Sequence, residues 1–500
     1  MNTDVHPASI GRSSGRRSLN PFNLSDSNFT ISRQVVTGCT AILDILSLVG
    51  PAVIIYIFYL HSVTTADFLS YLSATALLTT FALLLLALSG LYECYRITRP
   101  HRNMPHVISL VSISFLLLIA LGFILKLSND FSRVWLVSWA ISSIASISLF
   151  RILVPKIMRN LARNGQLSKN IVVFGAGQQG ADVVHRIQQS KEPWTKVIGV
   201  FDERVTRIAD EFDDLGVRAG LEKMIEFGRK YRADEIVIAL PWSAENRILE
   251  IIRAASVLPA QISLCPELTR GELLRPEMWV GSGIDHDMPV LTVLEKPVDG
   301  WSAIAKQAFD FVFASLLMLI TLPVFLVIAL LIKLDSRGPV LFRQERFGFN
   351  NQLIGVYKFR TMYVDQTDHD ADKLTQKDDP RVTRVGAFLR RWSLDELPQL
   401  FNVLDGTMAV VGPRPHAVNA KAGGTLYGDV IAEYAVRHKV KPGITGWAQV
   451  NGWRGNTETE GDLLGRVQHD LYYIEHWSIL LDITIIARTA WAVIKGDNSY

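Results

Sequence analysis

The densest polar chemistry lies between Lys358 and Gly455, in four strings. They are Lys358-Phe-Arg-Thr-Met362, Leu389-Arg-Arg-Trp-Ser-Leu-Asp-Glu-Leu-Pro-Gln-Leu-Phe-Asn402, Val411-Gly-Pro-Arg-Pro415 and Lys441-Pro-Gly-Ile-Thr-Gly-Trp-Ala-Gln-Val-Asn-Gly452. Basic residues, the acidic pair Asp395-Glu396 and Gly/Pro turns recur together, as a phosphate-handling site on rigid loops requires. The pair also has a structural reading. Ser393-Leu-Asp-Glu396 has capping-box spacing, with acids in a helix first turn. Pro398 counts against that reading, since it costs a hydrogen bond beyond the first turn. The two readings are compatible, because a helix N-terminus also favours anionic phosphate.

A second constellation is Ile171-Val-Val-Phe-Gly-Ala-Gly-Gln-Gln-Gly180, a strand running into G-x-G-x-x-G and a helix. Gly175, Gly177 and Gly180 allow a tight turn and close approach of phosphate to the helix N-terminus. The next apolar run, Val197–Phe201, ends at Asp202, where a ribose-binding carboxylate would sit. These residues could hold NAD(P) or another nucleotide. The fingerprint equally describes a Rossmann-like domain with no bound cofactor, and no convincing substrate half accompanies it. The acidic stretch Asp365, Asp368, Asp370, Asp372, Asp378 and Asp379 reads as solvated loop rather than metal site. His416 reads as structural or substrate-contacting rather than as a base. No Walker A, H-E-x-x-H or G-x-S-x-G string occurs.

The elements that position these groups follow from composition. The chain has 500 residues, 49% hydrophobic and 20% charged, and a mean hydropathy of +0.22. That balance points to a multi-domain membrane protein and excludes wholesale disorder. A net charge of +3 argues against a dedicated nucleic-acid binder. The 3 cysteines, Cys39, Cys94 and Cys265, are too dispersed for a zinc site or a disulfide framework. Residues 1–35 read as a flexible cytoplasmic tail without a cleaved signal peptide.

Apolar stretches follow at Val36–Leu60, Phe68–Leu91, Val107–Leu125 and Val134–Phe150, each near the about 20 residues a spanning helix needs. The last is short and Ser-rich. Arg12, Arg16, Arg17 and Arg33 precede the first. Arg96, Arg99 and Arg102 fill the second connection, and Arg151, Lys156, Arg159 and Arg163 follow the fourth. The connection His61–Asp67 has no basic residue. This asymmetry puts the tail, the middle loop and everything after Arg151 in the cytoplasm. A βαβα order between residues 151 and 300, with further strand-like runs at Glu235–Leu240 and Gln261–Cys265, predicts a parallel sheet. A fifth apolar segment, Phe311–Ile332, is interrupted by Pro323 and followed at once by Lys333, Arg337, Arg343, Arg346, Lys358 and Arg360. Such a basic excess opposes translocation. The expectation is a helix that breaks at Pro323, re-enters and returns to the cytoplasmic face. The run Trp477–Ile494, broken by Asp482 and Arg488, reads as a core or interfacial helix.

From Lys306 to the C-terminus these strings resemble the bacterial sugar transferases, the polyprenyl-phosphate hexose-1-phosphate transferases. Four spans and a Rossmann-like domain before them resemble the large members that prime exopolysaccharide synthesis. The wording Trp447-Ala-Gln-Val-Asn-Gly-Trp-Arg-Gly455 is similar to those that load glucose 1-phosphate onto undecaprenyl phosphate. The resemblance implies an undecaprenyl-phosphate hexose-1-phosphate transferase in the bacterial inner membrane, its catalytic domain on the cytoplasmic face. UDP-sugar, undecaprenyl phosphate and the bilayer are then its partners, with polysaccharide-assembly proteins beside them. Asp395 would be the nucleophile on the β-phosphate, forming a phosphosugar–aspartyl intermediate and releasing UMP. Glu396 would help hold Mg²⁺. Lys358 and Arg390 match family basic positions as phosphate clamps, and Arg414 suits bidentate phosphate contact. Two departures are visible: the usual basic pair reads Lys306-Gln307, and the Ser-Pro at the helix break reads Leu322-Pro323.

The expected fold is therefore a membrane protein with α and α/β parts. It comprises a tail (1–35), four transmembrane helices (36–150) and a cytoplasmic Rossmann-like parallel-sheet domain with linkers (151–300). A monotopic phosphoglycosyl transferase domain (301–500) follows, with a re-entrant helix at 311–332. Membrane helices and a Rossmann-like face offer surface for a homodimer. Two other functions remain open at this point. One is a nucleotide-sugar oxidoreductase or dehydratase on the glycine loop, against which Tyr231-Arg-Ala-Asp-Glu235 lacks a catalytic Lys. The other is a non-catalytic membrane scaffold for polysaccharide enzymes.

Overall fold

The computed structural model describes residues 33–60, 67–127, 130–163, 169–189, 195–203, 217–265, 290–364, 379–417, 421–422, 425–427, 432–453 and 459–495. The tail 1–32 and the acidic stretch 365–378 lie outside them. Four long helices come first: α1 (Arg33–Ile55), α2 (Phe68–Leu88), α3 (Pro100–Ile124) and α4 (Arg133–Arg163). Asp67 caps α2, its carboxylate accepting the Leu69 N–H at 3.3 Å. The helices pack around Leu48, Ala52, Leu78, Trp135 and Trp139. The Trp139 and Trp135 indoles donate to the Leu48 and Ala52 carbonyls at 2.7 and 3.0 Å. Leu46, Phe58, Leu84, Leu88 and Phe123 point outward, as helices facing lipid do. Among the described residues five helices are long and apolar enough to cross a membrane: these four and Gly300–Asp335.

The fourth of these helices is longer than its apolar run. Helical structure continues to Arg163, past the boundary expected at residue 150. Of its serines, Ser143 is fully buried and the Ser146 hydroxyl lies 3.1 Å from that of Ser47. Arg151 belongs inside this helix too. Its guanidinium meets Asp44 of α1 at 2.6 Å and donates to the Leu91 carbonyl at 2.9 Å, and the Tyr92 hydroxyl donates to the same carboxylate at 2.9 Å. Charge in such a bundle is tolerable only when paired in this way.

The middle domain is a six-stranded sheet of order β3-β2-β1-β4-β5-β6. Its strands are β1 (Lys169–Phe174), β2 (Thr195–Asp202), β3 (Arg218–Ala219), β4 (Glu235–Ile238), β5 (Gln261–Leu264) and β6 (Leu291–Leu294). The first five are parallel, as expected, and β6 returns antiparallel to β5. Helices α5 (Gln178–Gln189), α6 (Leu221–Lys230) and α7 (Glu245–Ala255) supply the crossovers. Alternate strand residues feed two cores, one around Ile171, Val173 and Val183, the other around Val172, Phe227 and Ile251.

The third unit begins with α8 (Gly300–Asp335). The break expected at Pro323 is absent as a gap in helical backbone, because proline removes only its own N–H and the ladder resumes on either side. Two residues earlier the Thr321 hydroxyl donates to the Leu317 carbonyl at 2.7 Å. Both halves of α8 pack on the same domain. Ala314, Phe313 and Leu317 join Leu400, Met408 and Tyr473, while Phe325, Ile328 and Ile332 join Phe359 and Leu389. The opposite face, including Leu319, Ile320, Leu326 and Leu330, is exposed. A hairpin of β7 (Leu341–Phe347) and β8 (Leu353–Phe359) follows, then α9 (Arg384–Arg391) and α10 (Gln399–Leu404). Strands β9 (Ala409–Val411) and β10 (Gly443–Thr445) pair in parallel. Last come α11 (Glu460–Glu475), opened by a capping box of Thr459 and Asp462, and α12 (Ile479–Lys495).

Candidate active site

Thr383 caps α9, accepting the Gly386 N–H at 3.0 Å. After α9 the chain reverses at Ser393 (φ 53°) and enters a 3₁₀ turn, Leu394–Glu396. Leu394 and Leu397 anchor this turn against Phe325, Ile328 and Ile332, the second half of α8. The acidic pair is therefore held against α8, one of the helices apolar enough to cross a membrane. The capping box suggested by its spacing does not form. Ser393 makes no side-chain cap, and Glu396 turns away to Lys358 and Arg414. Ser393 is left-handed, and a left-handed residue cannot present the extended backbone that an N-cap needs.

Antiparallel pairing in the hairpin and the turn after β9 bring the cations in. Lys358 Nζ lies 2.9 Å from Glu396 Oε1. Arg414 grips the same carboxylate through both terminal nitrogens, Nη1 to Oε2 at 3.0 Å and Nη2 to Oε1 at 2.5 Å. Burial alone would push Glu396 up, but Arg414 and then Lys358 hold it well below the usual carboxylate range. Asp395, 9% exposed, goes the other way. Burial raises it, Lys358 opposes the rise and Glu396 adds to it. Burial likewise lowers Lys358, and Arg346 lowers it further. Neighbouring carboxylates pushed apart in this way can take different tasks.

Arg346 on β7 was legible in the sequence only as part of a basic excess. In the fold its Nη1 donates to the Pro415 carbonyl at 2.7 Å, and it is pushed down to about 10 by burial and by Arg414. Both carboxylates feel its charge. Arg390 lies within electrostatic reach of Asp395, with its Nε donating to Thr361 Oγ1 at 2.9 Å. Gly386 lets α9 come this close, since a Cβ there would run into the Thr361 carbonyl. Lys358, Arg346, Arg390 and Arg414 thus outnumber Asp395 and Glu396 by two charges, a field suited to a diphosphate.

Behind Arg414 lies a buried polar layer of which only His416 stood out in the sequence. Arg437, 1% exposed, donates to the Arg414 carbonyl at 2.8 Å and pairs with Asp470 at 2.7 Å. His416 Nδ1 lies 2.9 Å from the Tyr434 hydroxyl, and Nε2 lies 3.0 Å from Arg466 Nη1. Burial, then Arg437 and Arg466, hold His416 well below the ordinary imidazole value. It is neutral at physiological pH, as a scaffold residue should be. Strand β9 is held from its other side by Lys306, whose Nζ contacts Asp310 (3.0 Å), Asp482 (2.7 Å) and the Val411 carbonyl (3.0 Å). Lys306, the surviving half of the altered basic pair, is thus a brace between α8, β9 and α12.

The glycine loop is built separately, at the C-terminal edge of the middle sheet. Gly175 (φ 117°) is required by packing, since a Cβ would strike the Ala239 backbone. Gly177 faces open space and Gly180 is buried in α5. Asp202, expected to face a ribose, accepts the Ala176 N–H at 2.7 Å.

Comparison with known proteins decides the family. A UDP-glucose:undecaprenyl-phosphate glucose-1-phosphate transferase of Escherichia coli (strain K12) is 35% identical, over 83% of this chain and 87% of its own length. The chain belongs to the bacterial sugar transferase family. The family profile, "Bacterial sugar transferase", matches residues 301–496 of this transferase. An undecaprenyl-phosphate glucose phosphotransferase of Komagataeibacter xylinus is 38% identical over 72% of the chain and 66% of its own length. A UDP-N-acetylgalactosamine-undecaprenyl-phosphate N-acetylgalactosaminephosphotransferase of Aeromonas hydrophila is 38% identical over 42% of the chain and 48% of its own. A second profile, "CoA-binding domain", matches residues 87–266, which takes in α3, α4 and most of the middle sheet. All of the dyad chemistry of the transferase lies within the first profile, on the unit that carries α8.

Proposed function

We infer that this transferase moves glucose 1-phosphate from UDP-glucose to undecaprenyl phosphate, releasing UMP, as the priming step of exopolysaccharide synthesis. The observation that carries the reading is a buried Asp395 beside a clamped, ionised Glu396, ringed by cations and seated on an apolar helix. In the first step an Asp395 oxygen forms a bond to the β-phosphorus, and the anhydride bond to the bridging oxygen breaks. UMP leaves with that electron pair. In the second step an oxygen of undecaprenyl phosphate attacks the same phosphorus and expels the Asp395 carboxylate. The product is undecaprenyl diphosphate glucose. A desolvated carboxylate is the stronger nucleophile, which suits the raised Asp395. Lys358, Arg414 and Arg346 would stabilise charge on the transferring phosphoryl group and the leaving phosphate, with Arg390 holding an outer oxygen.

The donor set fits Mg²⁺. Two hard carboxylates stand together, one of them held ionised, and the remaining ligands would be diphosphate oxygens and water. The ion would neutralise developing charge on the phosphoryl group when bound. Glu396 would hold it through the lone pair on Oε2 that Lys358 and Arg414 leave free.

The membrane arrangement follows from α8. As both of its halves bury against one domain, it is read as kinking at Pro323 while its backbone stays helical, and so as entering the bilayer and returning rather than crossing. The catalytic unit then stays on the cytoplasmic face of the inner membrane, where the basic residues in the last turns of α4 also belong. Such seating lets a soluble nucleotide sugar and a bilayer-borne lipid phosphate meet at one dyad. In the middle domain the geometry favours a structural glycine loop over a nucleotide site, because Asp202 is engaged with the loop itself.

The test is UMP release by purified protein given UDP-glucose, undecaprenyl phosphate and Mg²⁺, with Asp395→Asn alongside. UMP from wild type alone supports the reading. UDP as product overturns the mechanism, and no nucleotide product from UDP-glucose, UDP-galactose or UDP-N-acetylgalactosamine leaves a scaffold.

A further inference from the structure

Helix α6 of the middle domain ends against the catalytic domain. The last carbonyls of a helix have no partner within it, and that of Arg229 is satisfied from outside: Asn350 Nδ2 donates to it at 2.9 Å. Asn350 is the tip of the β7–β8 hairpin, 4% exposed, with φ 55°. The segment Ala432–Lys439 closes the same contact. His438 there packs against Phe347, ring centroids 5.9 Å apart and tilted by 39°, and feels the Arg229 charge.

What lies one step further in makes this contact consequential. The two strands of that hairpin carry Arg346 and Lys358. The segment Ala432–Lys439 carries Arg437, which holds the Arg414 carbonyl. The end of β7 also bonds directly to the Arg414 loop, through Arg346 to the Pro415 carbonyl at 2.7 Å and Phe347 N–H to the His416 carbonyl at 3.3 Å. Three of the four site cations thus sit on, or are held by, elements that touch the end of α6.

We propose that the middle domain is a control element for the transferase, docking through the end of α6 onto the hairpin tip and holding Arg346, Lys358 and Arg414 in register. The contact is closed but loosely sealed. Arg229 Nε, Asn350 Oδ1 and His438 Nδ1 are buried there without hydrogen-bond partners among the described residues, and each is uncompensated desolvation. Such an interface opens more readily than a fully paired one, so a change in the middle domain can be felt at the dyad.

This proposal rests on the transferase reading, and its test separates the two. Full-length wild type, Asn350→Gly and Arg229→Ala are compared in detergent by UMP release and by hydrogen–deuterium exchange across residues 341–359. Glycine tolerates the left-handed backbone at 350, so that change removes the hydrogen bond without adding strain. Asn350→Gly is expected to lower kcat about two- to tenfold, the range one hydrogen bond spans, and to speed hairpin exchange while the middle sheet stays protected. Arg229→Ala keeps the backbone carbonyl that Asn350 reaches but removes the buried guanidinium whose charge His438 feels, and should also alter hairpin exchange and kcat together. If either variant fails to fold, the other decides. A faster hairpin with wild-type kcat, or unchanged exchange in both, overturns the proposal. Inactive wild type with a docked, protected hairpin would instead refute the transferase reading.

Discussion

Replacing Arg414 by alanine separates the electrostatic role of the site from its contribution to stability. Arg414 makes two charge-assisted bonds to Glu396, at 2.5 and 3.0 Å, in a pair 23% and 13% exposed. Losing one partner of a buried pair typically costs about 3–5 kcal/mol, because the other charge is left uncompensated. Here Lys358 remains 2.9 Å from the same carboxylate. Removing Arg414 also relieves its repulsion with Arg346 and Lys358. Both effects bring the expected loss of stability down to about 1–3 kcal/mol, the scale of charged hydrogen bonds. Activity responds differently. A positioned donor to the transferring phosphoryl charge is worth about 10²–10³ in rate, so kcat/KM for UDP-glucose should fall by that factor. Arg414→Lys keeps the charge but not the fork, and should recover only part of it. Initial rates of UMP release beside thermal unfolding would measure both quantities. A folded Arg414→Ala protein with kcat/KM within tenfold of wild type would refute the electrostatic assignment.

The pH profile follows from the opposed shifts. As pH falls through the raised Asp395 value, the carboxylate protonates and the nucleophile is lost. The acid limb of kcat/KM should therefore lie above the ordinary Asp value of about 3.9. On the alkaline side Lys358 loses its proton below its ordinary value, and Lys358→Arg should move that limb upward. His416 is already neutral, so a limb near pH 6.5 that disappears in His416→Gln would count against this account. Lys306→Met should destabilise the domain by about 3–5 kcal/mol, because it leaves two buried carboxylates, Asp310 and Asp482, without their cation. Adding Asp482→Asn should restore part of the loss, read as the unfolding midpoint in detergent.

Much of the molecule was legible along the chain. The membrane helices were visible because an apolar run of spanning length is a local property. The parallel sheet was visible because strand and helix periods alternate. The dyad and Lys358, Arg390 and Arg414 were visible because each sits in a contiguous string. What could not be read were pairings between distant segments. Arg346 carries no motif of its own and becomes a site residue only when β7 pairs with β8 and meets the Arg414 loop. Lys306 and Asp482 are 176 positions apart, Asp44 and Arg151 107, and Asn350 and Arg229 121. The extent of α4 was underestimated because Arg151 read as the end of the apolar run, whereas in the bundle it is buried against Asp44 and the Leu91 carbonyl.

The amino-acid sequence by itself determined which segments prefer a bilayer, where the strands and turns fall, and that two carboxylates stand next to each other among basic strings. These depend on side-chain type and spacing over a few residues. Tertiary structure decided what each carboxylate is. Asp395 and Glu396 are neighbours with nearly the same chemistry, yet one is raised and the other lowered. The difference comes from which of them a distant lysine and arginine reach in a buried setting, and that is settled only when the hairpin, the dyad turn and the loop after β9 close over the membrane helix.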